Sequence, residues 1–513
     1  MAPDTLAPDE TGMSSEPDDV QHSSLECDSL GRIESLPLEI LGAIFSYLCH
    51  HCRQESFSKT GESVQRSDIE ALKALSQTNK RFRSVALPII LHSPSPLISC
   101  SYIIHVLNQQ PGLTQCVKAL NLPLSGTSNR ELRLLLGNVA QELAIDLSST
   151  NVSWDRQEDV ETDLLIALCP NVEQLKIPVT DSEGDGPKST FSVLRRHFSN
   201  LGDDPAFPKL RYLEIDTSKC RSFSITGAEL PLFLHECPAL ETLVLQGPKW
   251  QRIPDLDRRF NLQSCRPALE NLTTVELKEW SFFGGDPDTF TLGDMIQMTP
   301  NLKSFTITTA EGRKWGTSEV ERYHMPPTRF IEILKPLHGT LQQLRLEFKQ
   351  KVSARDYQYP SLMILSPQQL GAFPNLRVLE LDIPCYCRHI FDSSKVGSSY
   401  DQRTCLAGLL PVTITHLTII LKQGGYDEPL YDIFHLGKRA VAGDFPRLQR
   451  VQVDAPVRYL MPCSDSWDDY WDNEQLDKIS RTQSRHEREL QEAFEGSGVR
   501  TVLRRWYIWE EMY

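Results

Sequence analysis

The chain has 513 residues and a formal net charge of −15 at pH 7. This acidic balance disfavours nucleic acid as the main partner, because such binding depends on cations that meet phosphates. The 13 cysteines are an odd number without a secretory signal, which indicates reduced thiols in the cytosol or the nucleus. No apolar stretch approaches the length of a membrane span, so a membrane is not an expected partner either.

The first 30 residues are acidic, contain no Lys or Arg, and carry scattered Pro and Ser. A segment of this composition cannot bury enough apolar area to fold. It also lacks the positive n-region and apolar run of a signal peptide. We predict a disordered acidic tail over residues 1–30.

A helix is predicted over residues 36–48, because apolar residues recur there at helical spacing. They form two stripes, which together are too wide for one neighbour to cover. We therefore expect the helix to pack on its own domain and also to hold a partner. Pro37 lies in the first turn, where its missing N–H would have no intrahelical acceptor. The two stripes are Leu36, Ile40 and Ile44, and Leu41, Phe45 and Leu48.

Two further short helices are predicted after a polar insertion. Ser67-x-x-Glu70 has the spacing of a capping box, which predicts the start of the second helix. Thr78 or Asn79 can cap the third helix, and Pro88 is expected to end it.

The segments LPLEILGAIFSYL and DIEALKALSQTNKRFRSVALP together resemble the F-box motif. Residues 49–67 replace the family's short turn and are expected to loop out. The resemblance implies a three-helix F-box over residues 31–92 that docks on a Skp-type adaptor and, through it, on a cullin–RING ubiquitin ligase. The alternative is a small helical cap on the next domain. By family position, the adaptor contacts or their direct support are Leu36, Pro37, Ile40, Ile44, Leu48, Leu72, Leu75 and Phe82.

The rest of the chain carries a repeat. Apolar pairs recur in L-x-x-L-x-L-like strings at intervals of 30 to 39 residues, with amphipathic, helix-length segments between them. Strict alternation of helix and strand implies parallel neighbours and right-handed crossovers. We predict an α/β fold with a curved parallel sheet and outer helices over residues 93–456, which resembles an irregular leucine-rich-repeat horseshoe. The pairs are Leu175/Ile177, Leu213/Ile215, Leu243/Leu245, Val275/Leu277, Phe305/Ile307, Leu344/Leu346, Leu379/Leu381, Leu417/Ile419 and Val451/Val453.

Both ends of the repeat region have atypical strings. Val117-x-x-Leu120-x-Leu122 and Val499-x-x-Val502 are predicted to be end repeats. Residues 457–513 are predicted to form a C-terminal cap, because the last unit of a stack needs a covered apolar face. A membrane-surface helix is the alternative for this segment, but its net acidity disfavours it. Its tryptophans are Trp467, Trp471, Trp506 and Trp509.

Aromatic residues cluster in the loops that follow the repeat strands. In a parallel sheet these loops gather along one edge, where Trp and Tyr are enriched among binding hot spots. We therefore predict a target-binding rim, and the alternative is that these residues plug gaps between irregular repeats. The residues are Trp250, Trp280, Phe282, Phe283, Trp315, Tyr323, Tyr357, Tyr359 and Tyr386.

Two cysteine clusters have spacings that suit metal ligands. Cys49-His50-His51-Cys52 could seed a zinc site, but a second ligand pair is not evident in the sequence. Cys385-x-Cys387-x-His389, with Cys405 downstream, is the other candidate. Free cysteines and surface histidines are the default interpretation of both, so no metal is predicted.

The chain contains no P-loop, no G-x-G-x-x-G, no H-E-x-x-H and no G-x-S-x-G motif. We therefore expect neither catalytic residues nor a cofactor. The leading hypothesis is a non-catalytic substrate receptor of a Skp–cullin–F-box ubiquitin ligase, located in the cytoplasm or the nucleus, whose repeats bind an unidentified target protein. The alternatives are an interaction scaffold that works without ubiquitin transfer, and a thiol or zinc enzyme.

Overall fold

The computed structural model describes a large part of the chain, from residue 33 to residue 506. The predicted tail over residues 1–30 lies outside the described residues. The described ranges are 33–49, 51–53, 62–94, 99–122, 130–145, 147, 157–180, 191–202, 204–220, 229–247, 262–280, 287–309, 326–348, 364–386, 405–421, 428–456 and 473–506.

The described residues form an α/β fold around one parallel sheet of eleven strands, and each strand pairs with its neighbours in the sequence. The prediction of a parallel sheet that alternates with helices is confirmed. The strands are β1 (Ala119–Asn121), β2 (Gln174–Thr180), β3 (Tyr212–Lys219), β4 (Thr242–Gln246), β5 (Thr274–Lys278), β6 (Ser304–Thr308), β7 (Gln343–Glu347), β8 (Val378–Asp382), β9 (His416–Ile420), β10 (Arg450–Pro456) and β11 (Arg500–Trp506).

The register of the sheet follows the predicted apolar pairs. Leu175 of β2 is level with Leu213 of β3, and the first members of all nine pairs continue this row to Val451 of β10. The second members form a parallel row, and both rows are buried in one main core. At the first end, Leu120 of β1 joins the row beside Leu175, as predicted.

The last strand differs from its predicted register by one residue. Thr501 and Leu503 of β11 continue the two apolar rows, whereas Val502 is level with Gln452 on the opposite face. Because side chains alternate along a strand, a shift of one residue exchanges the faces. The string that begins at Val499 therefore predicts the strand but not its inward residues.

In the described part of the chain, four helices precede β1 and eleven fill the intervals between the strands, and most helices that are consecutive in the sequence pack on one another. They are α1 (Leu38–Ser46), α2 (Glu62–Thr78), α3 (Lys80–His92), α4 (Cys100–Gln109), α5 (Arg130–Glu142), α6 (Gln157–Ala167), α7 (Ser192–Leu201), α8 (Glu229–Glu236), α9 (Arg266–Asn271), α10 (Pro287–Gln297), α11 (Pro327–Leu334), α12 (Pro367–Gly371), α13 (Cys405–Leu409), α14 (Glu428–Val441) and α15 (Asn473–Ala493). Among the described residues, no helix is both long enough and apolar enough to cross a membrane.

Asparagine side chains connect successive repeats just before several strands. The side-chain amide of Asn301 donates to the backbone carbonyl of Glu270, one repeat earlier, at 2.8 Å. Asn271 and Asn375 make equivalent bonds to Pro238 and Gly339, each at 2.8 Å. Each of these three asparagines therefore links its repeat to the one before it, at the edge of the sheet where the strands begin.

Buried acids connect neighbouring helices in a similar way. Asp163 of α6 accepts hydrogen bonds from the backbone N–H groups of Val193 and Leu194, at 3.1 Å and 3.3 Å, in the first turn of α7. Asp432 of α14 accepts from the N–H of Leu406, at 3.1 Å, in α13. Burial raises the pKa of Asp163 well above its usual range. Each acid therefore satisfies free donors at the start of another helix.

The first three helices have a small core of their own. Its buried members include Leu41, Phe45, Leu72 and Phe82, and it is separate from the main core under the sheet. Asn79 caps α3 as predicted, because its side chain accepts from the N–H of Phe82 at 2.7 Å.

Two predicted helix boundaries in this region are wrong. The second helix begins at Glu62 instead of Ser67, so Ser67 lies inside α2 and does not cap it. The third helix passes through Pro88 and ends at His92. Proline in a helix interior removes one backbone hydrogen bond, but the turn beyond it buries Ile89 and Leu91. Burial of such side chains contributes about 1.5–3 kcal/mol each, which offsets the lost bond.

The segment predicted as a C-terminal cap contributes α15 and β11. Leu490 and Phe494 are buried in the main core, and β11 pairs along the whole length of β10. The segment therefore adds one more strand to the sheet and one more helix to the main core. Of its tryptophans, Trp467, Trp471 and Trp509 lie outside the described residues.

Candidate functional site

The start of α1 is fixed by contacts with α3. Pro37 occupies the N-cap position, and its carbonyl oxygen accepts from the N–H groups of Ile40 and Leu41 at 3.1 Å and 3.0 Å. The guanidinium group of Arg81 donates to the carbonyl oxygen of Leu36. The proline therefore marks the start of the helix, as expected, but it occupies the N-cap position one residue before the first turn.

The two predicted stripes of α1 have different environments. Leu41 and Phe45 are buried in the small core, where the rings of Phe45 and Phe82 meet edge to face with centroids 5.5 Å apart. In contrast, Ile40 is 47% exposed and Ile44 is 40% exposed. The stripe with Leu41 and Phe45 holds the helix in place, and the other stripe faces outward.

Tyr47 extends this exposed stripe by one turn and is 74% exposed. We call Ile40, Ile44 and Tyr47 the outer face of α1. Nearby Ile33 and Leu38 are also largely exposed. Apolar groups that collect on one exposed surface are typical of an interaction site, whereas isolated ones are ordinary. Tyr47 was missed by the sequence analysis, although its spacing of three from Ile44 and seven from Ile40 matches the stripe.

The eight predicted adaptor residues divide into two groups. Pro37, Ile40 and Ile44 are exposed. The other five support α1 from within: Leu72 and Phe82 are buried in the small core, and the partly buried Leu36, Leu48 and Leu75 pack against it.

The second surface is the polar face of the sheet, opposite the apolar rows. Its side chains alternate with the buried pairs and carry both charges. Arg345 of β7 donates to Glu347 at 2.6 Å and lies 3.1 Å from Glu380 of β8. Although burial opposes it, the charges of these two acids keep the pKa of Arg345 above its usual value. Glu276 and Lys278 line a nearby depression of about 330 Å³.

The predicted aromatic rim falls mostly outside the described residues. Seven of its nine members lie there: Trp250, Phe282, Phe283, Trp315, Tyr323, Tyr357 and Tyr359. The other two, Trp280 and Tyr386, are buried in the main core at 0% and 1% exposure. The gap-filling alternative therefore describes these two residues, because aromatic side chains bury readily without a partner. Neither offers a surface to a target.

The four-residue cluster Cys49, His51, Cys52 and His92 joins the predicted C-x-x-C pair to the end of α3. The four candidate ligand atoms lie within 4.8 Å of one another. Partial desolvation of its sulfur atom, with the neighbouring Cys49, raises the pKa of the Cys52 thiol to about 12, although the residue as a whole is exposed. Burial, with the nearby charges of His51 and Lys118, lowers the pKa of His92 to about 4, so its imidazole is neutral at pH 7.

His92 was missed because Pro88 was expected to end the helix four residues earlier. Of the other cysteine cluster, the structure describes only the side chain of Cys385. Cys385 is buried, and its thiol lies 3.0 Å from the carboxylate of Asp382. Burial raises the pKa of this thiol well above its usual value. Cys387 and His389 lie outside the described residues.

The chain matches no protein-family model, and no curated protein matches it. The proposed function therefore rests on the outer face of α1 and the polar face of the sheet.

Proposed function

We propose that the chain is the substrate-recognition subunit of a Skp–cullin–F-box E3 ubiquitin ligase. The observation that carries the proposal is the division of α1 into a buried side and an exposed apolar side. Leu41 and Phe45 fasten the helix to α2 and α3, so Ile40, Ile44 and Tyr47 are presented on a fixed support. Such a face suits a helical adaptor that covers apolar surface.

The repeats supply the second half of this function. The sheet and its outer helices are interpreted as an irregular leucine-rich-repeat-like solenoid whose polar face presents the target. Arg345, Glu347 and Glu380 hold one another in place on this face. Charges that are fixed before binding favour selectivity for a partner more than raw affinity.

Adaptor docking is tested with the full chain and a purified Skp-type adaptor. Ile40→Ser combined with Ile44→Ser should weaken binding ~100-fold, because two apolar contacts of ~1.5 kcal/mol each are lost. The matched control is Leu134→Ser combined with Val412→Ser, which changes two exposed apolar residues elsewhere. Calorimetry should show parental affinity for the control. Equal affinity of both double variants for the adaptor would contradict the docking proposal.

Ligase membership requires a separate measurement. Affinity purification of the parent chain, with the proteasome blocked, should recover cullin along with the adaptor. Recovery of adaptor without cullin would favour the interaction scaffold that works without ubiquitin transfer.

Target binding is tested by charge reversal on the polar face. Glu276→Lys should reduce recovery of the target, because Glu276 is half-exposed on this face. Recovery of the adaptor should not change, because Glu276 is distant in sequence from α1. Unchanged target recovery would mean that another surface selects the target.

A further inference from the structure

The cluster at the end of α3 unites two parts of the chain that are 40 residues apart. Cys49, His51 and Cys52 lie just after α1, and His92 is the last residue of α3. Cys49 is buried in the small core, His51 and His92 are half-buried, and Cys52 is exposed. The site is therefore anchored in the small core at Cys49 and open to solvent at Cys52, where an ion can enter.

The distance from Cys52 to His92 matches that between two ligands of a tetrahedral ion, and the distance from Cys52 to His51 is slightly longer. The Cys52 Sγ atom lies 3.3 Å from His92 Nδ1 and 4.0 Å from His51 Nδ1. Zinc bonds of about 2.0–2.3 Å separate neighbouring ligand atoms of a tetrahedron by about 3.3–3.8 Å. Two sulfur and two nitrogen ligands are typical of zinc, whereas magnesium and calcium prefer oxygen.

The surroundings of His51 match those of a metal-bound imidazole. Its Nδ1 atom faces the cysteine, and its Nε2 atom lies 3.3 Å from the carboxylate of Glu173. A histidine ligand commonly donates its second ring N–H to a carboxylate, which fixes the ring and its tautomer. Glu173 is itself held by Lys118 at 3.4 Å. Both of these residues lie at the β1–β2 edge of the sheet.

We infer that Cys49, His51, Cys52 and His92 bind one structural Zn²⁺ ion, which fastens the end of α1 to the end of α3. Through Glu173, the ion also connects this helical segment to the sheet. Small units with few buried residues often need such a link, because their core alone stabilises them weakly. The inference does not depend on adaptor docking or ubiquitin transfer.

The test begins with the metal content of the full chain. The protein is expressed without a metal-binding tag, purified under reducing conditions and measured by elemental analysis for zinc, iron, copper and nickel. We expect about one zinc per chain. Cys52→Ser should lower this content at least tenfold. The matched control Cys116→Ser, which changes a partly buried thiol outside the cluster, should keep parental content.

A second variant keeps the ligands and changes only their support. Glu173→Gln should weaken zinc affinity about 10–100-fold, as is usual when a carboxylate behind a histidine ligand is removed. The affinity is measured by competition with a chromophoric chelator. Co²⁺ alone, added to the metal-free parent, should give the intense visible bands of a tetrahedral thiolate site.

Three results would overturn the inference. The first is a parent chain that carries no metal and binds neither Zn²⁺ nor Co²⁺ after reduction. The second is full zinc content in a folded Cys52→Ser variant, with folding checked by circular dichroism. The third is an intact mass showing a Cys49–Cys52 disulfide that persists in reductant, which would identify a redox pair instead.

Discussion

Replacing Gly437 with alanine should loosen the C-terminal helix and strand. A β-carbon added at Gly437 of α14 would lie 2.5 Å from the carbonyl oxygen of Ala493 and 2.9 Å from the ring of Phe494. Ordinary contacts between carbon atoms are about 3.5–4.0 Å. Because the nearer atom belongs to the backbone, the end of α15 must move.

The size of the effect follows from two opposing contributions. Overpacking at a close contact typically costs about 1–3 kcal/mol, whereas alanine is favoured over glycine inside a helix by about 0.8–1.0 kcal/mol. Gly293 of α10 provides the control, because a β-carbon there meets nothing within 4 Å. The free energies of unfolding of the two variants should therefore differ by about 1–3 kcal/mol, which is the packing cost itself.

Urea unfolding of both variants gives this difference, and hydrogen exchange locates it. In Gly437→Ala, exchange should increase in Asn473–Trp506 and remain at the parental level in α1–α3. In Gly293→Ala, stability should equal or exceed that of the parent. Equal stability and equal exchange in both variants would refute the close packing of α14 on α15.

Three other changes test separate features of the fold. Burial raises the pKa of Asp432 from 3.8 to about 7. Between these two pH values the folded chain binds more protons than the unfolded chain. The free energy of unfolding therefore falls as pH rises from about 4 to about 7. Asp432→Asn should remove this dependence on pH, so its free energy of unfolding should exceed that of the parent at pH 8 and by less at pH 4. Urea unfolding that gives the same difference in free energy at both pH values would contradict the prediction. Asn301→Ala should lower the free energy of unfolding by ~1 kcal/mol, the typical contribution of one hydrogen bond. A melting temperature equal to that of the parent would show that the hydrogen bond to Glu270 does not stabilise the fold. Deleting residues 457–513 removes β11 and should cause aggregation or loss of exchange protection backward from β10, whereas unchanged protection in β9 would mean that the segment is a detachable domain.

The strand positions were predictable because they depend on local pattern. Each apolar pair has a spacing of two, so both members face the same side of an extended strand. In six of the nine repeats a proline lies five residues before the apolar pair, between the end of the helix and the start of the strand, where it favours an extended backbone in the residue before it. These signals are contained within a few residues, and the nine predicted pairs therefore have the register that the sheet shows. At β11 the local pattern was ambiguous, and pairing with β10 fixed the register at Thr501 and Leu503.

The candidate sites were only partly predictable, because they depend on contacts between distant residues. The sequence determined that α1 has two apolar stripes, but packing against Phe82 decided that Leu41 and Phe45 are the buried ones. The sequence likewise determined the C-x-x-C pair, whereas only the tertiary structure supplied His92. His92 reaches the cysteines because α3 continues past Pro88. Burial of the next helical turn offsets the backbone hydrogen bond that the proline lacks. Local pattern thus set the strands and the stripes, and long-range packing decided which side chains meet and which remain exposed.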